Sequence, residues 1–242
     1  MPLLALLLLF SFARAEDALP SVQTVANATR KLLAASKYPG RADVRLYYYA
    51  PGIKGVDLDG TPVVGIPHHL RNASAATSAP RTGKNTQATA AIYWTPRFYL
   101  YAKTLDQAAF IMAHEVAHLE LDHTRRYSEA FCAMYREWKK KKVPCVDDPP
   151  DFKKFAKDMA APRERLKLLG RSMEYEADQR AMRLATDAGF DARVYAILFQ
   201  RADALWQEPG FVPTEYHPEP ADRKRHLEVT VLPEVLADQA AW

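Results

Sequence analysis

The chain has 242 residues, 48% apolar and 26% charged, the balance of a folded protein, which excludes disordered, collagenous and low-complexity classes. Lys+Arg number 33 and Asp+Glu 29, and a net charge of +4 is too small an excess for a basic nucleic-acid surface. Two cysteines are too few for a disulfide scaffold or a four-cysteine zinc site.

Leu3 to Phe12 is almost purely apolar and Ala13-Arg14-Ala15 follows, the apolar-then-small pattern of a secretory leader. The stretch falls short of the roughly 20 apolar residues that span a bilayer, and no later segment reaches that length. Residues 1–15 are therefore expected to be a signal peptide and 16–242 a single exported domain without a transmembrane segment. The alanine-rich style and short leader suggest a bacterial periplasm. Export permits a bridge between Cys132 and Cys145, which bracket the Lys139–Lys142 run, but spacing alone does not establish its geometry. Asn27-Ala28-Thr29 and Asn72-Ala73-Ser74 match glycosylation acceptors that only a eukaryotic secretory route would use.

Val22 to Leu33 reads as a helix and the β-branched, aromatic run Val44 to Tyr49 as a strand. Asn72 to Thr89, rich in Ala, Ser, Thr and Asn with Pro80 and Gly83, reads as a loop. Ala91 to Tyr101 reads as one or two strands interrupted at Pro96. Thr104 with Gln107 three residues on forms a capping box, so a long helix is expected from Leu105 to His123 or beyond. Val143 to Asp151, with three prolines, reads as a loop. A second long helix is expected over Pro162 to Ala188, closed by Gly189, a third from Asp191 to Trp206, and a short one over Pro220 to Leu227. There is no internal repeat.

His114-Glu115-Val116-Ala117-His118 carries the first chemical signal. On a helix, positions i and i+4 share a face, so both imidazoles can point at one metal ion. Glu115 lies about 100° round, where it can reach a metal-bound water without ligating the metal. The surrounding Phe110, Ile111, Met112, Ala113, Val116, Ala117 and Leu119 make the helix apolar, and unpaired imidazoles in such a setting are costly. Leu121 and Thr124 stand where a metzincin has glycine and a third histidine, which excludes that class. His123, five residues after His118, falls off the ligand face of a continuous helix and reads as structural. The third ligand is better sought in Glu174-Tyr175-Glu176-Ala177-Asp178. There Glu174 and Asp178 are again i and i+4, so that one carboxylate can ligate and the other can hold a ligating histidine, while Glu176 reads as solvated.

These two motifs, followed by His217-Pro218 with Arg223 six residues after the histidine, resemble the zinc metallopeptidase family that includes HtpX and the CAAX prenyl endopeptidases. These are gluzincins with an HExxH helix and an ExxxD helix, and the similarity covers roughly Tyr93 to Leu227. The resemblance implies one zinc ion held by His114, His118 and Glu174, Glu115 as catalytic base, and Asp178 and Arg223 as supports behind the ligands. A second donor to the oxyanion could be His217, Arg223 or a tyrosine; His217 could instead fill the open zinc position in a resting state, or simply start a helix. The membrane helices and the helical-repeat extension of better-known members are absent, so the chain resembles the minimal soluble exported branch, and prenyl-protein processing is not carried over.

The implied fold is α+β and zincin-like: a small β-sheet with a mainly helical core and zinc between two long helices. The implied activity is hydrolysis of peptide bonds in unfolded or misassembled exported proteins. In gluzincins an edge strand before the motif helix pairs with the substrate, which here would use Ala91–Tyr101, although those aromatics could equally be core. The alternatives are a non-catalytic exported chaperone or assembly factor with a structural zinc site, which would not need Glu115, and a zinc hydrolase on a non-peptide amide.

Overall fold

The structure is a computed structural model that describes residues 18–48, 75–78, 90–140, 160–208 and 216–240, with side chains for all of these except 75–78, 160–162 and 238–240. The leader, the Val143–Asp151 segment, Asn72 and Cys145 lie outside the described residues. Cys132 is disulfide-bonded.

Helix α1 (Val22–Ala35) starts at Ser21, whose hydroxyl accepts from the Thr24 amide, and it buries Val25, Ala26, Leu32 and Leu33. Asn27 lies within this helix and is exposed, its carboxamide oxygen accepting from Gln23, whereas Thr29 of the same triplet is fully buried with its hydroxyl on the Val25 carbonyl. Strand β1 (Arg45–Tyr48) falls inside the expected run.

The sheet corrects two expectations. Ala75–Ser78, within the stretch read as a loop, forms β2, which pairs antiparallel with β3 (Ala91–Trp94) from Ala75↔Trp94 to Ser78↔Ala91. Ala, Thr and Ser carry no strong strand propensity, and pairing with a neighbour supplies what the local sequence lacks. The strand order β1-β3-β2, with β1 parallel to β3, puts β3 in the middle. Both its edges are taken, so the aromatic segment cannot accept a substrate strand. Ile92 and Trp94 are fully buried in the core, and Tyr93 stacks on Tyr47 at 5.0 Å.

No second strand follows Pro96. Amides 98, 99 and 100 bond carbonyls 95, 96 and 97, and the chain enters a short helix, α2 (Phe98–Tyr101). The Thr95 hydroxyl accepts from the Arg97 amide and secures the turn.

Helix α3 (Leu105–Glu120) begins at Thr104, whose hydroxyl accepts from the Gln107 amide. The buried Gln107 carboxamide oxygen accepts from the Lys103 amide at 2.8 Å and from Arg201 at 2.6 Å, so the cap also locks a later helix in place. The expected continuation through His123 is broken. Asp122 takes a left-handed conformation (φ 55°), and a separate helix, α4 (His123–Lys139), departs from it. An aspartate tolerates that conformation better than most side chains do.

Helix α5 (Ala160–Asp187) is the long partner of α3. It ends as expected at Gly189 (φ 76°), where the amides of Gly189 and Phe190 reach back to the carbonyls of Thr186 and Ala185. Met182, Leu184, Ala181 and Ala185 pack against the Met112, Val116 and Leu119 side of the core. Each large apolar side chain buried there contributes about 1.5–3 kcal/mol. Glu120 adds a polar tie, accepting two hydrogen bonds from Arg180 and one from the Lys37 amide. After a 3-10 turn (Ala192–Val194) come α6 (Tyr195–Trp206) and α7 (Pro220–Thr230). A further helix, α8 (Leu232–Ala240), follows; it was not anticipated, and it seats Val235 in the core. The result is a small mixed sheet beside a mainly helical core. No described helix is long and apolar enough to cross a membrane.

Candidate metal centre

Because α3 packs lengthwise on α5, two segments about sixty positions apart in sequence face each other. His114 Nε2 and His118 Nε2 are 3.0 Å apart. Glu174 sets one carboxylate oxygen 3.4 Å from His114 Nε2 and the other 3.5 Å from His118 Nε2. One donor atom from each of the three lies within 4.8 Å of the others. Glu174 Oε2 is buried and has no hydrogen-bond partner. Arg223 Nη1 stays 3.4 Å away from it, so its desolvation cost is only partly offset and a metal ion would add to that offset. Two imidazole nitrogens and a carboxylate oxygen are a donor set that suits zinc.

Each imidazole is held from behind. His114 Nδ1 is 2.9 Å from Asp178 Oδ1, and Asp178, which is wholly buried, accepts from Arg223 Nε and Nη2 at 2.7 Å each. Arg223 also approaches Glu174 at 3.4 Å and lies over the Phe199 ring. Its Nε and Nη2 are thus committed to Asp178, which fits the supporting role, while the guanidinium also lines the cavity.

His118 Nδ1 is 2.8 Å from Nδ1 of His123, whose Nε2 is 3.4 Å from Glu176 Oε2. Glu176 accepts two hydrogen bonds from Arg126. On an unbroken helix position i+5 points away from i, so the spacing in the sequence does not reveal this arrangement. The left-handed residue at 122 turns the chain and brings His123 back against His118. Glu176 is therefore only partly the solvated residue expected: it is half-exposed but paired on both sides.

Electrostatics follow from this packing. Burial alone would push His114 down, but Asp178 and Glu174 outweigh it and raise the imidazole to about 10. Burial and the neighbouring His114 charge depress His118 to about 3. Of the two facing imidazoles, His114 is thus the charged one and His118 the neutral one. Burial lifts Glu115 to about 7, with the His114 charge opposing. Glu174 is held well below the usual carboxylate range by His114 and Arg223, against the cost of burial.

His217, in the turn before α7, places Nε2 3.6 Å from Glu174 Oε1 and is half-exposed. A cavity of about 190 Å3 opens onto this cluster. Its lining combines His114, Glu115, Glu174 and His217 with the apolar wall residues Tyr101, Phe110, Ile111, Leu198, Phe199 and Trp206. The apolar wall draws on α2, α3 and α6, and no local motif announced it. Comparison with known protein families matches residues 82–231 to peptidase family M48. No curated protein and no solved structure matches the chain.

Proposed function

The chain belongs to peptidase family M48, and from that premise we propose that it is a zinc-dependent endopeptidase acting on unfolded or misassembled exported proteins. His114, His118 and Glu174 would hold the ion, and the convergence of two imidazole nitrogens and one carboxylate oxygen within 4.8 Å of one another is the observation that carries this reading. Zinc bound there would supply Lewis acidity for the scissile carbonyl and for the attacking water.

The chain's own groups do the rest. Glu115 sits in the cavity wall beside the cluster, raised by burial to near neutrality, where a carboxylate can accept a proton and return it. It takes the proton of the attacking water and delivers it to the leaving nitrogen. His217 lines the same cavity, 3.6 Å from Glu174, and is the candidate donor to the oxyanion. The apolar wall accepts a large apolar side chain next to the scissile bond. Residues 1–15 support export to a bacterial periplasm, and the substrate class follows from that compartment.

A structural zinc site is closed by protein ligands, whereas this cluster offers three donors beside a cavity that Glu115 also lines, and this favours catalysis over the chaperone alternative. Glu115→Gln is the direct test. Zinc content measured on the purified protein should stay unchanged, while cleavage of casein falls by roughly 10²–10⁴-fold. Undiminished cleavage by the variant would end the assignment.

A further inference from the structure

We propose that His123, held by Glu176 and Arg126, is the positioning residue that fixes the tautomer and ring orientation of His118 for metal binding; the proposal rests on the zinc reading above. His118 turns Nε2 toward His114 and Glu174, so its ring proton belongs on Nδ1. The group facing that proton is His123 Nδ1, 2.8 Å away, which must present a lone pair. His123 then carries its own proton on Nε2, the atom 3.4 Å from Glu176 Oε2. Glu176 is anchored as an anion by Arg126 at 2.6 Å and 3.2 Å. The chain of donors and acceptors therefore runs one way, from His118 through His123 to Glu176, with every proton accounted for.

The arrangement matches that behind the other imidazole. His114 is backed by Asp178 and Arg223, and His118 by His123, Glu176 and Arg126, so each ligand ends on a carboxylate fixed by an arginine. His123 is 3% exposed and packs edge-on against His118, with ring centroids 4.9 Å apart. Its placement depends on the left-handed turn at Asp122, since a continuous helix would carry it away. Outer partners of this kind typically change metal affinity 10–100-fold.

The test is zinc affinity by competition with a chromophoric chelator, alongside the melting temperature of the metal-free protein. His123→Leu should bind zinc about 10–100-fold more weakly. His123→Asn, which places an acceptor oxygen near the Nδ1 position, should recover most of that loss, although a purely structural role for His123 would leave the two variants alike. Glu176→Leu, at a half-exposed position where folding is not at stake, should weaken zinc binding in the same direction, and Glu176→Gln less so. In the zinc-loaded protein, nitrogen-15 correlation spectra should show His123 protonated on Nε2. Wild-type affinity in His123→Leu, equal loss in the Asn variant, or a proton on His123 Nδ1 would each overturn the proposal. A wild-type protein that takes up no zinc would instead overturn the functional reading on which it rests.

Discussion

Replacing Asp178 by leucine removes the acceptor of three close contacts: Arg223 Nε and Nη2, each at 2.7 Å, and His114 Nδ1 at 2.9 Å. Asp178 is wholly buried and the Arg223 side chain is only 15% exposed, so the guanidinium would keep Glu174, 3.4 Å away, and little access to solvent. Breaking a buried pair from one side costs about 3–5 kcal/mol. For a chain of this size that corresponds to a melting temperature lower by roughly 6–20 °C in the metal-free protein. Adding Arg223→Met should restore much of the stability, because neither charge is then left buried, and a methionine can still lie on Phe199. Zinc affinity should behave differently. His114 lacks its acceptor in both variants, so binding should stay about 10–100-fold weaker even where the melt recovers. Calorimetric melts and chelator competition on the single and double variants separate the two effects. If affinity returned together with stability, the carboxylate would be shown to hold the fold rather than to orient the imidazole.

Metal uptake should release protons. Asp178 and Glu174 raise His114 to about 10 despite its burial, so at pH 8 the metal-free imidazole is charged and must lose its proton to ligate. Titration calorimetry in two buffers of different ionisation enthalpy should show about one proton released per ion from this group, with apparent affinity rising as pH increases toward that value; no release would contradict the assignment of His114. Ala202→Trp should narrow the apolar side of the cavity and shift cleavage of a peptide library from large toward small side chains beside the scissile bond, with zinc content unchanged; an unaltered preference would dissociate that wall from recognition. Asp122→Ala should cost about 1–2 kcal/mol in a denaturant melt because of its positive φ, while Asp122→Gly stays near wild type; equal midpoints would show that the turn holds no such strain.

Local rules carried several features from sequence to structure. The i, i+4 spacing of His114 with His118 and of Glu174 with Asp178 sets each pair on one face wherever a helix forms, and Thr104 and Gly189 mark where two of those helices begin and end. The apolar run around the first motif announced a buried helix. Strand β2 was invisible because Ala75–Ser78 gains its conformation from pairing with β3, and the central position of β3 depends on that same partner. The helix at Phe98–Tyr101 replaced a strand because backbone bonds around Pro96 curl the chain there, whatever the aromatic content suggests.

The sequence by itself determined the donors and the helical faces that bear them, since covalent spacing and the helical repeat need no tertiary information. Only the packing of α3 on α5 decided that Glu174 meets the two imidazoles, and only one left-handed residue at 122 decided that His123 backs His118 rather than facing away. Both outcomes depend on where the chain turns and what it then buries, and these are properties of the whole fold rather than of any window along it.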